Sequence, residues 1–119
     1  MTRKFHHAKI PDYSTLLSGR SPRDDLGFES SSLQIWYNNT DINWAETAEK
    51  PHYHKESDEI FIVLKGVLHV DVDGKVHHIG PHEFCCFPAG EWHAIVHVEV
   101  PAETLMIRSP SVDDKVYKE

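Results

Sequence analysis

Three histidines and one glutamate stand out in this sequence because their types and spacing suit metal chemistry. His52 and His54 lie two positions apart, Glu59 follows them, and His93 lies further on in the segment FPAGEWHAIVH. Neutral imidazoles and a carboxylate form a mixed nitrogen–oxygen donor set that suits iron, manganese, nickel, cobalt, copper or zinc. Four protein ligands leave two positions free on an octahedral ion, as catalysis at a metal requires. The pattern predicts a site for one divalent metal.

The alternative is that the His-x-His pair arises by chance, since ten of the 119 residues are histidine. Many histidines are surface polar groups, and we interpret four others as surface or turn residues: His69, His77, His78 and His82. The candidate ligands are favoured by their positions in the chain. Glu59 opens a hydrophobic run, and His93 follows a turn in which Pro88 and Gly90 set the backbone.

The segments around these residues are predicted to be β-strands. Alternate residues of a strand point to the same face, so His52 and His54 share one face of an extended segment. After the polar turn KESD, the same alternation sends Glu59 and Val63 to one side of the next strand. His93 begins a further strand. Ligands from strands joined by short turns can therefore converge on one point.

Short strands account for most of the chain, and helical periodicity is almost absent. The segment VLHVDVDGKVHHIG is the clearest hairpin signal, because Asp73-Gly74 suits the two positive-φ positions of a type I′ turn. Other strands are predicted in SLQIWYN, NTDINWAET, HYH, EIFIVLKG, EFCCFPAG, WHAIVHVEV and ETLMIRS. About eight strands broken by Gly, Pro, Asn and Asp predict an all-β sandwich or barrel. Four residues are predicted to contribute to its core: Phe61, Val63, Leu68 and Val70.

The chain has room for one domain. We divide it into an N-terminal arm over residues 1–32, a folded body over residues 33–109 and a polar C-terminal tail over residues 110–119. The arm is expected to form a short helical turn or an edge strand that wraps the body or a partner subunit. The tail is expected to lie over the surface.

Composition disfavours several classes of partner. The net charge is −7 and the basic residues are scattered, which argues against a nucleic-acid partner. No apolar stretch approaches the roughly 20 residues that span a bilayer, and the N-terminus lacks a secretory pattern, so we expect a cytoplasmic protein that does not bind membranes. The adjacent Cys85 and Cys86 suit two reduced cysteines. No basic cluster near the candidate ligands suggests a phosphate clamp.

These residues resemble the two sequence motifs of the cupin superfamily. The first motif has His-x-His, three or four residues, Glu, six residues and Gly. It is matched by His52, His54, Glu59 and Gly66. The second motif has Gly, five residues, Pro, one residue, Gly, two residues, His, three residues and Asn. It is matched by Pro88, Gly90 and His93.

Two positions depart from the second motif. His82 stands where it opens with Gly, and His97 stands where it ends with Asn. Histidine tolerates left-handed backbone better than most non-glycine residues, so the turn at His82 is expected to be kept. In the first motif Asp58 would satisfy the three-residue variant, but only Glu59 keeps six residues before Gly66. Asp58 is expected to point to solvent.

The resemblance covers residues 33–109 and implies a small single-domain cupin barrel of the cupin 2 type, a double-stranded β-helix or jelly roll. It implies one divalent ion, Fe, Mn, Ni or Zn, in the mouth of the barrel. The implied ligands are His52, His54, Glu59 and His93. It also implies a homodimer, which a surplus of aromatic residues ahead of the motifs favours as well: Trp36, Tyr37 and Trp44.

Cupins with this ligand set include dioxygenases, decarboxylases, isomerases, lyases and sugar-binding modules, so the fold does not decide the chemistry. The first hypothesis is a metal-dependent enzyme acting on a small polar or anionic organic molecule, with an opening lined by Trp92, by Tyr53 or by residues near Trp36. His97 shares the face of His93 by strand parity. It is a candidate catalytic base or orienting residue, or else a satisfied core histidine. The alternative function is a non-catalytic module that uses the metal to bind or sense a small molecule such as a sugar.

Overall fold

The structure is a computed structural model that describes residues 4–23, 26–41 and 49–117. These residues form nine strands and no helix: β1 (Thr15–Gly19), β2 (Phe28–Glu29), β3 (Gln34–Thr40), β4 (His52–His54), β5 (Asp58–Val72), β6 (Lys75–Ile79), β7 (Phe84–Phe87), β8 (His93–Ser109) and β9 (Lys115–Tyr117). In the part of the chain that is described, therefore, nothing has the length and apolar character of a membrane-crossing helix.

Two long strands, β5 and β8, form the centre of the fold and take part in both of its layers. Residues 58–63 of β5 pair with residues 104–109 of β8, and residues 65–72 pair with residues 93–103. One layer is extended by β7 beside β5 and by β3, β1 and β2 beside β8. The other is extended by β6 beside β5 and by β4 and β9 beside β8. This is the predicted all-β double-stranded β-helix.

The core lies between the two layers, and the predicted alternation places it correctly. The four residues predicted from periodicity are all buried: Phe61, Val63, Leu68 and Val70. They pack with Phe87, Ile95, Val98, Ala102 and Met106. The predicted type I′ turn is also present, since Asp73 and Gly74 both have positive φ, at 54° and 81°.

The breaks that the sequence suggests at Gly66 and Pro101 are bends within continuous strands. EIFIVLKG and the following VLHVDV form the single strand β5, and WHAIVHVEV and ETLMIRS form the single strand β8. The prediction of separate short strands was wrong here, because both strands continue through the irregular part of their ladder around residues 63–67. Gly66 and Pro101 suit such a bend, because glycine adopts unusual backbone angles and proline has no N–H that must be paired in the ladder.

Strands from both ends of the chain join this sheet. In the predicted arm, β1 pairs with β3, and β2 lies at the edge of the sheet beside β1, which fits the edge-strand alternative for β2. In the predicted tail, β9 pairs with β4. The division at residues 32 and 109 stays a prediction. Most of the strand predicted in NTDINWAET lies outside the described residues.

Gly66→Ala is expected to lower the free energy of unfolding by about 2–4 kcal/mol. Gly66 has φ +83°, and a Cβ there would lie 2.5 Å from the carbonyl oxygen of Glu99 and 2.7 Å from Cβ of Ala102. Gly74→Ala is the matched control, because its φ is +81° but no atom of the described residues lies within 4 Å of the added Cβ. The control is expected to cost about 1–2 kcal/mol. Urea unfolding measures both losses, and equal losses would contradict a role for the contacts at Gly66.

Candidate metal centre

The four residues predicted as metal ligands come together inside the barrel. His52 and His54 lie on β4, Glu59 lies on β5, and His93 is the first residue of β8. One donor atom from each lies within 4.8 Å of the others, and all four residues are buried. The structure therefore contains a three-histidine, one-carboxylate cluster that could bind a metal ion.

Strand pairing sets the positions of the histidines. His52 is opposite His93 in the ladder between β4 and β8, and their ring centroids are 4.5 Å apart. The spacing of two residues places His54 on the same face as His52. The backbone N–H of Gly90 donates to the carbonyl oxygen of His54 at 2.8 Å. This bond ties the turn that precedes His93 to strand β4.

Backbone carbonyl groups fix two of the three imidazole rings. Nδ1 of His52 lies 2.9 Å from the carbonyl oxygen of Lys50, and Nδ1 of His93 lies 3.0 Å from that of Glu91. Because a carbonyl oxygen only accepts hydrogen bonds, we assign the ring proton to Nδ1 in both residues. Nε2 of each ring is then available to coordinate a metal ion.

Asp114 fixes the third ring and also holds the turn between β4 and β5. Nδ1 of His54 lies 3.0 Å from Oδ1 of Asp114, while Oδ2 accepts the backbone N–H groups of Glu56 and Ser57 at 2.8 Å each. Burial raises the pKa of Asp114, but these hydrogen bonds outweigh it and lower the pKa to about 2. Asp114 was not predicted from sequence because no local motif includes a residue sixty positions from His54.

The carboxylate of Glu59 faces the Nε2 atoms of two histidines. Oε1 is 2.9 Å from Nε2 of His93, and Oε2 is 3.5 Å from Nε2 of His54. Burial raises the pKa of Glu59, but the hydrogen bonds from both histidines outweigh it and lower the pKa to about 2. For His54, burial lowers the pKa, but the hydrogen bonds and charges of Glu59 and Asp114 outweigh it and raise the pKa overall.

This geometry fits a divalent ion. His54 and His93 each face an oxygen acceptor at both ring nitrogens, which requires either an imidazolium or a cation on the Nε2 side. A metal ion bound between the two Nε2 atoms would supply that positive charge to both rings at once. Burial lowers the pKa of His52 and so favours the neutral ring that metals bind.

Arg108 is a second residue at the site that was not predicted from sequence. Its Nη1 lies 3.0 Å from Nδ1 and 3.5 Å from Nε2 of His54. Nη1 therefore lies above the plane of the imidazole ring. In the plane, an atom at these two distances would collide with a ring carbon. With the Gln34 amide turned to satisfy its neighbours, its oxygen accepts from Nη2 of Arg108 at 2.6 Å. Nε is buried 3.9 Å from Oε2 of Glu59 and has no hydrogen-bond partner among the described residues.

A cavity of about 350 Å³ opens beside the cluster. It is lined by Trp36, Asn38, Glu49, Glu59, Phe61, Met106, Arg108 and Lys115. Trp36 is therefore at the opening, as expected. Two cationic side chains, Arg108 and Lys115, also face this space, although the sequence shows no basic cluster near the motifs.

Tyr53 and Trp92, the other aromatic residues expected at the opening, do not line this cavity. Their ring centroids are 4.7 Å apart. Trp92 lines a different cavity, of about 400 Å³, together with His93 and the turn between β5 and β6. The cluster thus borders the Trp36 cavity through Glu59 and the Trp92 cavity through His93.

A family model described as a cupin domain matches residues 42–108, more than half of the chain. The chain belongs to the cupin family. A curated but uncharacterized protein of Aquifex aeolicus (strain VF5) is 34% identical to this cupin over 70 residues. That match covers 59% of this chain and 58% of the Aquifex protein, so this cupin spans little more than half the length of its relative.

Several solved structures share the fold of this cupin. KdgF from Halomonas sp. has a TM-score of 0.60 and 23% identity, covering 71% of this chain and 75% of its own. The DMSP lyase DddQ from Ruegeria pomeroyi DSS-3 has a TM-score of 0.64 and 21% identity, covering 88% and 50%. Streptomyces Pac13, described as a nucleoside dehydratase, has a TM-score of 0.61 and 10% identity, covering 76% and 71%. Identities this low show a common fold and nothing more.

Two expectations about the cupin motifs agree with the geometry. His82, which stands where the motif has glycine, adopts a left-handed backbone with φ +64°. Asp58, the rejected acidic ligand, is exposed, and its Oδ1 accepts the backbone N–H of Ala89 at 3.0 Å. Glu59 is the acidic residue that reaches the cluster.

His97 is not brought to the cluster, and its expected position is wrong. Residues His69 and Val70 pair with His97 and Ile95, so β8 has one extra residue, Val96, at this point. Such a bulge reverses the alternation. His97 therefore lies on the outer face, with its ring centroid 5.0 Å from that of His69. A catalytic role for His97 stays an expectation that this geometry does not favour.

Asp114→Ala is expected to weaken zinc binding about 10–100-fold, because His54 loses the acceptor that fixes its ring and its proton. His54→Ala removes a proposed ligand outright and is expected to weaken binding further. Competition with a chromogenic chelator measures both affinities, and the far-ultraviolet spectrum reports on folding. Asp113→Ala is the matched control, since Asp113 is the exposed neighbour in sequence. An unchanged affinity in Asp114→Ala would contradict the role given to this carboxylate.

Proposed function

We propose that this cupin is a metal-dependent enzyme that acts on a small polar or anionic organic molecule. One observation supports this above all: three imidazole rings and a carboxylate form a buried cluster that borders a cavity. The proposed metal ligands are His52, His54, Glu59 and His93. The cavity of about 350 Å³ has the volume of a small-molecule site.

The proposed cofactor is one divalent ion, Fe, Mn, Ni or Zn. Neutral imidazoles and one carboxylate would leave the ion and its protein ligands with a net charge of about +1. When bound, such an ion supplies Lewis-acid chemistry that polarises an oxygen atom of the substrate. The barrel interior strengthens this attraction, because its effective dielectric constant is lower than that of water.

Arg108 and Lys115 favour an anionic substrate. Both line the cavity beside Glu59, and the guanidinium of Arg108 already lies against His54. A guanidinium matches the geometry of a carboxylate better than a point charge does. We therefore expect an acid group of the substrate to lie between the metal ligands and these two cations.

Glu49 is the candidate for proton transfer in this cavity. Its side chain lines the space, and its Oε1 accepts the backbone N–H of Ile95 at 3.1 Å, which holds the carboxylate in place. Oε2 is the oxygen left to exchange a proton with a bound molecule. Glu49 takes this role in place of His97, which lies on the outer face.

The reaction type is supported only by analogy. Of the proteins that share the fold, DddQ is named as a lyase and Pac13 as a dehydratase, which favours lyase chemistry over isomerase or dioxygenase-like chemistry. Function does not follow from fold. The alternative is a non-catalytic module that uses the ion to bind or sense its ligand.

The first test is the metal itself. Elemental analysis of protein purified without added metal is expected to find one divalent ion per chain, and Glu59→Ala is expected to lose it. Asp58→Ala is the control and is expected to keep it. The cobalt-substituted protein is then titrated with small dicarboxylates and 2-oxo acids, and its visible spectrum is expected to shift, whereas matched neutral amides leave it unchanged.

Variants of the cationic residues test the anion site. Arg108→Gln is expected to weaken the spectral response about 10–100-fold while keeping the metal, as loss of a charged hydrogen bond implies. Arg20→Gln is the control, since Arg20 lines the neighbouring cavity instead. Mass spectrometry after incubation reports turnover. Binding without conversion of any acid would favour the alternative, and an ion that responds to no oxygen ligand would contradict both functions.

We further propose that the protein is a cytoplasmic homodimer, joined through an apolar outer face of β5, β7 and β8. A groove of about 460 Å³ there is lined mostly by aliphatic and aromatic side chains. Leu64 and Phe84 lie on it with 42% and 68% exposure. The aromatic residues whose surplus predicts a partner support it less, because Tyr37 is already buried and Trp36 lines the metal-side cavity, while Trp44 lies outside the described residues.

Light scattering is expected to give twice the chain mass of 13.7 kDa at micromolar concentration. Phe84→Asp is expected to give the monomer mass, because a charge at the centre of an apolar interface is strongly unfavourable. Val76→Asp is the control, since Val76 is also exposed, at 47%, but lies on β6 away from the groove. A monomeric wild-type protein would rule out the dimer.

A further inference from the structure

Three histidines form a row across the outer wall of the barrel. His69 on β5 pairs with His78 on β6 and with His97 on β8, so the three residues occupy matching positions on adjacent strands. Glu99 lies two residues beyond His97 on β8. Leu68 and Val70, which flank His69, point into the core. The row is therefore separated from the inner cluster by the wall of the barrel.

The side chains of this row are already in contact. The ring centroids of His69 and His78 are 4.3 Å apart, and those of His69 and His97 are 5.0 Å apart. Nε2 of His69 lies 2.6 Å from Oε2 of Glu99. The His69 side chain is 21% exposed and that of Glu99 is 54% exposed, so water and dissolved ions reach the group.

We propose that His69, His78, His97 and Glu99 form a second, solvent-facing site for a divalent transition metal. Cross-strand neighbours have Cβ atoms about 5 Å apart, a separation from which His69 can share one ion with His78 or with His97. His78 and His97 lie on either side of His69, about 10 Å apart, and both must turn towards it to bind the same ion. Imidazole and carboxylate donors select zinc, copper or nickel over magnesium or calcium. The ion would take the place of the hydrogen bond between His69 and Glu99, with Nε2 of His69 and Oε2 of Glu99 both binding it.

This outer site is looser than the inner cluster. The inner four donors lie within 4.8 Å of one another, and the outer residues are not gathered that tightly in the described structure. Their tilted rings must turn to point nitrogen atoms at a common ion. His78 is exposed, where such rotamer changes take nanoseconds or less, and His69 and His97 are half-buried. Weaker and faster-exchanging binding than at the inner cluster follows from this rearrangement.

Zinc stoichiometry of the full chain tests the proposal. The wild-type protein is expected to bind two ions, the second at least about tenfold more weakly than the first. The double variant His69→Ala/His97→Ala is expected to bind one, at the inner affinity. The double variant His77→Ala/His82→Ala is the control, because both residues are exposed histidines outside the row; it is expected to bind two.

Imidazole NMR signals locate the ion directly. The second equivalent of zinc is expected to shift the ring resonances of His69, His78 and His97. Retention of the second ion in His69→Ala/His97→Ala, equal loss in the control, or a single ion in the wild type would each overturn the outer site. His54→Ala separates the two sites, since it is expected to remove the tighter ion and leave the weaker one. If it instead keeps the tighter ion, the inner assignment fails, and the outer site is still decided by His69→Ala/His97→Ala.

Discussion

A carboxylate buried inside an apolar barrel is the constraint on which the rest of this structure depends. Glu59 is 5% exposed and alternates along β5 with Phe61 and Val63 of the core. An unpaired charge in such a place costs several kcal/mol. The cost is offset because two imidazoles face its oxygens and the guanidinium of Arg108 lies nearby. Glu59 can stay buried only while these partners stay in place.

The partners come from segments that are distant along the chain. Strand β4 supplies two histidines, and β8 supplies the third together with Arg108. Asp114 is the residue just before β9. Asp114 connects these segments, because one carboxylate orients His54 and also accepts the two backbone N–H groups of the β4–β5 turn. The hydrogen bonds of Asp114 thus set both the direction of the His54 ring and, through the β4–β5 turn, the position of the Glu59 carboxylate in the core.

Local patterns predicted much of the barrel and the inner cluster. Alternation along β5 correctly buried Glu59 and Phe61, and Asp73-Gly74 correctly gave the hairpin turn. The errors arise where long-range pairing decides the outcome. His97 was placed on the wrong face because the extra residue in β8 is visible only once β8 is paired with β5. Arg108 reaches His54 from fifty-four positions away, a distance over which no spacing rule applies.

From the ladder between β5 and β8 we also expect an order in which the donor set assembles during folding. His93 pairs with Val72 at the end of the ladder that lies nearer in sequence, whereas Glu59 pairs opposite Arg108 near the far end. Closing a shorter loop costs less entropy, so the two strands are expected to zip from His93 towards Glu59. The complete set of donors then exists only when the last rungs have formed. In a refolding experiment, tight metal binding would therefore appear only at the final step of barrel closure. Before that step, histidine nitrogens would be the only ligands available to an ion.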